Sequence, residues 1–274
     1  MIYNSRDYAR LRNGVLFISA VAWGLLLSQP QAACHCNALS SGASWETLLA
    51  AFPPFSLAMG WVLMLVAMMA PTLVPAIYHV RTSTFRHRRG RSTALFLAGF
   101  GAIWMAAGAD LMVAELAVAA RAPGSYWPAM ITGLAALVWQ MSPDKQRCLN
   151  RCHNHRPLAA FGVAADWDVF RLGFAHGFWC VGSCWAAMLL PMMLPAGHLA
   201  AMAAVSVLMF CERLDPPRPP AWRWRGFDTA VRYGMLRLRS LQIGPASFGL
   251  RAKALSSQSG ETRGSHPQAA YGPQ

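Results

Sequence analysis

Charge is scarce in this chain: Asp, Glu, Lys and Arg together make up 13% of its 274 residues. Hydrophobic residues make up 55% and the mean hydropathy is +0.31. That balance excludes an ordinary soluble domain and fits a polytopic membrane protein followed by a polar tail. Acidic residues are the scarcest, 11 against 24 Lys and Arg, for a formal net charge of +13. An excess of this size can signal nucleic acid, but the basic residues punctuate apolar runs and form no single patch, which argues against that partner. No G-x4-G-K-[ST] run occurs, so active pumping would require a partner or an ion gradient. No C-x-x-C pair occurs either. Seven Cys is an odd number, which rules out a complete disulfide framework within one chain. At least one thiol is free or metal-bound.

What the chain does have is apolar runs, about six of them, most near the roughly 20 residues that a spanning helix needs. They are Gly14–Ser28, Phe55–Tyr78, Thr93–Ala120, Tyr126–Met141, Leu172–Leu194 and Leu199–Cys211. The first is short and precedes a Q-A-A-C-H-C segment, so a cleaved signal peptide competes with a first membrane helix there. Of 24 Lys and Arg residues, 23 fall before Gly14, in Val80–Ser92, in Ser142–Arg171 or after Glu212. The positive-inside rule assigns those alternate segments, and with them both termini, to the cytoplasm. The expected fold is all-α, a polytopic transmembrane bundle of about six helices with a basic C-terminal cytoplasmic tail. Residues 1–54 would supply the first helix and an external segment, residues 55–212 a five-helix core, and residues 213–274 the tail. In the tail, Phe227, Val231, Met235 and Leu238 at helical spacing with interleaved Arg suggest a basic amphipathic helix on the anionic inner leaflet. Beyond Ser256 the composition reads as disordered.

The fifth run carries the chemistry. His176, Cys180, Cys184, Met188 and Met192 recur every four residues, which on a helix makes each the neighbour of the next. Each step overshoots a full turn by about 40°, so the stripe slopes around the helix while three adjacent members still face one partner. Buried Cys often packs as a small hydrophobe, and Gly173, Ala175, Gly177, Gly182 and Ser183 are the small residues of helix–helix contacts in lipid. An ionisable His inside a span is expensive, however, and two thiols on its slope favour ligation of a soft metal.

Other donors recur along the chain. In the second run Pro71 and Pro75 remove backbone donors and open or kink the helix, freeing carbonyls that a neighbour, water or ion must satisfy. Met64, Met68 and Met69 lie just before that break; thioethers suit Cu(I) and also fill apolar cores. The loop S-P-D-K-Q-R-C-L-N-R-C-H-N-H offers Cys148, Cys152, His153 and His155, dense enough for a zinc or copper site, or else simply a positive loop. Outside, Cys34-His35-Cys36 suits a disulfide partner or copper capture. Asp110 and Glu115 lie inside the third run on different faces, where carboxylates suggest a proton or cation path. Glu212 reads as an interfacial anchor.

Three motifs, M-L-V-A-M-M-A-P-T-L-V-P, M-S-P-D-K-Q-R-C-L-N-R-C-H-N-H-R-P-L, and H-G-F-W-C-V-G-S-C-W-A-A-M-L-L-P-M-M-L followed by C-E-R-L, occur in this order. Together they resemble a bacterial family with a domain of unknown function, described as predicted metal-binding integral membrane proteins. The resemblance covers about residues 55–213. It implies functional positions at Met68, Met69, Pro71, Pro75, Cys148, Cys152, His176, Gly177, Cys180, Cys184, Trp185, Met188 and Glu212. Ser183 departs from the usual run of that family, and the segment before the second run lacks the His- and Met-rich character of some relatives.

The resulting expectation is a multi-pass protein of the bacterial inner membrane that binds a soft metal and moves it or hands it on. The metal would be Cu(I), with Zn as the alternative. The ligands would be His176, Cys180, Cys184 and Met188, completed by Met64, Met68 or Met69, with Cys148, Cys152 and His153 as a cytoplasmic station. Its partners would be the bilayer and a periplasmic or cytoplasmic metal-handling protein, and a binding role is favoured over an enzymatic one. A membrane thiol–disulfide oxidoreductase and an assembly subunit are the rivals.

Overall fold

The computed structural model describes residues 5–28, 54–122, 124–154, 156–159, 161–224, 231 and 235. Among them the ordered elements are helices: α1 (Ser5–Ser28), α2 (Pro54–Ser83), a 3-10 turn (Arg86–Arg88), α3 (Arg89–Arg121), α4 (Trp127–Met141), α5 (Pro143–His153), α6 (Gly162–Met192) and α7 (His198–Leu214). Four of these, α1, α2, the stretch Arg86–Val118 and α6, are long and apolar enough to cross a membrane. The all-α expectation holds. Cys34, His35 and Cys36 lie outside the described residues, as does most of the tail. The chain divides into two units, Met1–Phe227 and Asp228–Gln274. In the second, Val231 and Met235 are helical and about half exposed.

The helices outrun the apolar runs that predict them. α6 begins at Gly162, ten residues before the run at Leu172, and α2 continues through Arg81 to Ser83. Polar side chains can occupy the outer turns of a helix whose middle is buried, so hydropathy marks the middle and not the ends. One correction is larger: the segment expected to be a cytoplasmic loop is helix α5. Ser142 caps it, its hydroxyl accepting from the Lys145 amide at 3.2 Å, and Pro143 occupies the first turn with Asp144 beside it. Each of these is a start signal for a helix.

α2 runs unbroken through Pro71 and Pro75. Pro71 cannot donate to the Ala67 carbonyl four residues back. The Ser19 hydroxyl of α1 takes that place, donating to Ala67 O at 2.6 Å in a buried contact. A neighbour thus satisfies the carbonyl that the proline frees, as an apolar interior requires.

α3 and α6 are the most intimate pair, because glycines let their backbones touch. A side chain at Gly173 would collide with the Phe96 carbonyl, and one at Gly99 with the Phe170 carbonyl. A Cβ at Gly177 would stand 3.1 Å from Phe100 O. Gly173 and Gly177 form a G-x-x-x-G pair of the kind used where small residues let helices approach in lipid. α6 also packs on α4, α5 and α7, while α2 packs on α1, α3 and α7. Gly197, with φ of 79°, makes the turn from α6 into α7 in a conformation that a side chain would strain. At the other end of α6, Arg88 and Arg91 pair with Asp166 at 2.6 and 2.7 Å.

Candidate functional site

The thiols on α6 are buried. Cys180 has no exposed surface, and Cys184 and Met188 are nearly as enclosed. One turn apart, the Cys184 thiol and the Ser183 hydroxyl both donate to the Cys180 carbonyl, at 2.9 and 2.8 Å. α5 brings two further thiols to this helix. Cys148 lies against the space left by Gly182, where a Cβ would stand 3.0 Å from its sulfur. Cys152 is buried and neighbours Cys180. Burial raises both α5 thiols above the ordinary range, Cys152 to about 11, the nearby Arg213 guanidinium opposing the shift. All five described cysteines are free thiols, the fifth being the buried Cys211 of α7.

The cation in this cluster is Arg213, near the end of α7. Its guanidinium lies 3.1 Å from the Cys180 sulfur and 3.5 Å from the Ser183 hydroxyl, and it reaches Cys152 as well. From α3, the Trp104 indole faces the Cys180 sulfur. Trp104 is fully buried, and its Nε1 has no hydrogen-bond partner among the described residues. Cys180 is therefore surrounded by hydrogen-bond donors.

A second polar group lies beside the thiols. Lys145 and Glu212 are almost completely buried and form an ion pair at 2.8 Å. Gln140 bridges them: its Oε1 accepts from Lys145 Nζ at 2.5 Å and its Nε2 donates to Glu212 Oε1. Glu212 is thus an internal partner and not the interfacial anchor that its position at the end of an apolar run suggested. Desolvating such a pair is costly, and the hydrogen bonds through Gln140 offset part of the cost.

The two histidines go elsewhere. His176 is buried with its ring centroid 5.9 Å from that of Phe96 and 6.1 Å from that of Phe100. It also lines a cavity of about 250 Å³ with Arg151, Asp168, Arg171 and Trp179. The nitrogens of His153 face backbone carbonyls, Nδ1 that of Leu149 at 2.9 Å and Nε2 that of Arg213 at 3.3 Å. Among the described residues, no three His, Cys, Asp or Glu side chains form a group that could hold a metal ion. Met64, Met68, Met69 and Met188 are buried in the same apolar core as Cys152, Cys180 and Cys184. Asp110 is exposed on α3 and Glu115 half-buried.

Sequence reasoning singled out the thiols but missed Arg213, Lys145, Gln140 and Trp104 as their surroundings. For Gln140, Lys145 and Arg213 the available signal was a polar residue at or just past the end of an apolar run; Trp104, in the middle of one, carried no such signal.

Fold and site define a class: an all-helical protein with helices of membrane-crossing length and a buried cluster of free thiols facing a guanidinium. The particular family follows from comparison. The chain belongs to the PpoB2 family, described as a copper chaperone, whose model matches residues 58–236. The match takes in α2 to α7 except the first turn of α2, and with them the four clustered thiols and Arg213. No curated protein and no solved structure matches the chain.

Proposed function

We propose that this chain is a multi-pass inner-membrane copper chaperone that holds Cu(I) between Cys180 and Cys184 and passes it to or from Cys152 and Cys148. The observation that carries this reading is the buried contact of α5 with α6, which sets the Cys152 thiol beside Cys180 in a membrane-type bundle. Thiolate and thioether sulfur are the donors that select Cu(I). Two thiolates suffice for that ion, which suits a site where no third His, Cys or carboxylate joins them among the described residues. Met188, with Met64, Met68 and Met69 from α2, would offer weaker sulfur ligands further along the path, and His176 would stand at the cavity end of α6.

α4 and α7 are read as the fourth and sixth spans. At 15 and 17 residues they measure about 22 and 26 Å, short of the roughly 30 Å hydrocarbon core. α4 nevertheless exposes Trp127, Met130, Ile131, Leu134 and Val138 along one face, a stripe that suits lipid. With six spans and the basic segments inside, both termini are cytoplasmic. The partner is a metal-handling protein on either side of the membrane.

The test is metal analysis of the full chain purified in detergent under reducing conditions. Wild type is expected to carry copper, and Cys180→Ser with Cys184→Ser to carry none. Unchanged copper in the double variant would sink the assignment. If thiol trapping instead shows Cys152 and Cys180 cycling through a disulfide without any metal, the oxidoreductase reading takes its place.

A further inference from the structure

We infer that Arg213 is a specificity-determining residue, a fixed positive charge that makes the thiol site favour a monovalent over a divalent ion. The inference rests on the copper-binding reading of Cys180 and Cys184 and asks what decides the metal once those thiols are the ligands.

Charge balance carries the argument. The Arg213 guanidinium lies 3.1 Å from the Cys180 sulfur, and among the described residues no carboxylate comes within ion-pair distance of it. The adjacent acid in the chain, Glu212, is already committed to Lys145. A part-buried guanidinium pressed against a thiol with no carboxylate partner favours a negative charge at that sulfur. Two thiolates and Cu(I) supply a complex of net charge −1, which Arg213 neutralises. Two thiolates and Zn(II) supply a neutral complex, which leaves the guanidinium uncompensated. The buried Trp104 indole N–H, which faces the same sulfur, also favours the more electron-rich thiolates of the anionic complex. Both metals accept thiolate ligands, so ligand type alone leaves zinc as a competitor.

The test compares Cu(I) and Zn(II) affinities of full-length wild type, Arg213→Gln and Arg213→Lys in detergent, each by competition with a chromophoric chelator, with thermal unfolding as the check on folding. In Arg213→Gln the ratio of Cu(I) to Zn(II) affinity is expected to fall on the order of 10- to 100-fold, a single charge at close range in a poorly polarisable interior. Arg213→Lys is expected to hold the ratio within about threefold of wild type, since it keeps the charge. An unchanged ratio in Arg213→Gln, or equal loss of both metals, overturns the inference. If Arg213→Gln does not fold, Arg213→Met takes its place with the same outcomes: a fallen ratio supports the inference and an unchanged ratio overturns it. Absence of copper from wild type, or its persistence in the Cys180→Ser, Cys184→Ser variant, refutes the site reading instead.

Discussion

The Arg213 guanidinium stands 3.1 Å from the Cys180 sulfur, from a position 33 residues further along the chain. The contact joins the last turn of α7 to the middle of α6, and the same residue reaches Cys152 on α5. Three helices therefore meet on one cation. Whatever the thiols hold is sensed at once by each of these helices, which makes the chemistry of the cluster inseparable from its packing.

The α5 thiol should be slow to react. Burial moves Cys152 from an ordinary 9.0 up to about 11, so its nucleophilic thiolate is nearly absent at neutral pH. Maleimide labelling of the metal-free protein should spare Cys152 at neutral pH and reach it after unfolding in denaturant. The same shift has a stability sign. Between pH 9 and about 11 the unfolded chain loses this proton while the folded one keeps it, so this contribution falls as pH rises through that window. A Cys152→Ala variant should lose less stability across that range than wild type, as followed by thermal unfolding.

Breaking the Lys145–Glu212 pair should be more damaging than removing it. Lys145→Met leaves the buried Glu212 carboxylate without its cation, and losses of about 3–5 kcal/mol are usual for such changes. The double variant Lys145→Met, Glu212→Leu should recover most of that loss. Chemical unfolding in detergent gives the three values. Equal destabilisation of the single and double variants would contradict the account.

The Ser19 hydroxyl and Pro71 form a dependent pair, open to a double-mutant cycle. Ser19→Ala removes the donor to the Ala67 carbonyl and should cost about 1 kcal/mol. In a Pro71→Ala background the helix supplies its own N–H to that carbonyl, so the same change should cost little. A cost that is the same in both backgrounds would show that the hydroxyl contributes in some other way.

Gly173 should tolerate no side chain, because Gly173→Ala places a Cβ into the Phe96 carbonyl and must push α3 and α6 apart. A loss of about 1–3 kcal/mol is expected, as for other overpacked sites. Gly101→Ala, two residues beyond Gly99 on α3, meets nothing within 4 Å and should be neutral or slightly stabilising. Melting temperatures of the two variants separate the close approach from a general dislike of alanine at glycine.

The all-helical fold, the apolar middle of each helix, the small residues on α6 and the four-residue ladder of His176, Cys180, Cys184 and Met188 were all legible in the sequence. These are properties of one segment at a time, fixed by composition and by 3.6 residues per turn. The start of α5 was legible too, in Ser142 and Pro143, but the density of Cys and His in that segment drew attention to a loop. What only the tertiary structure decided is which helices share an interface and in what register. The backbone contact at Gly99, Gly173 and Gly177 sets α3 on α6, the packing of α5 brings Cys148 to Gly182 and Cys152 to Cys180, and α7 delivers Arg213 and Glu212 to partners 33 and 67 residues away. Long-range convergence depends on the rotation and translation of whole helices against one another, and no local pattern of residues encodes those. The sequence therefore named the thiols, and the packing of the helices determined that, among the described residues, a guanidinium stands beside them.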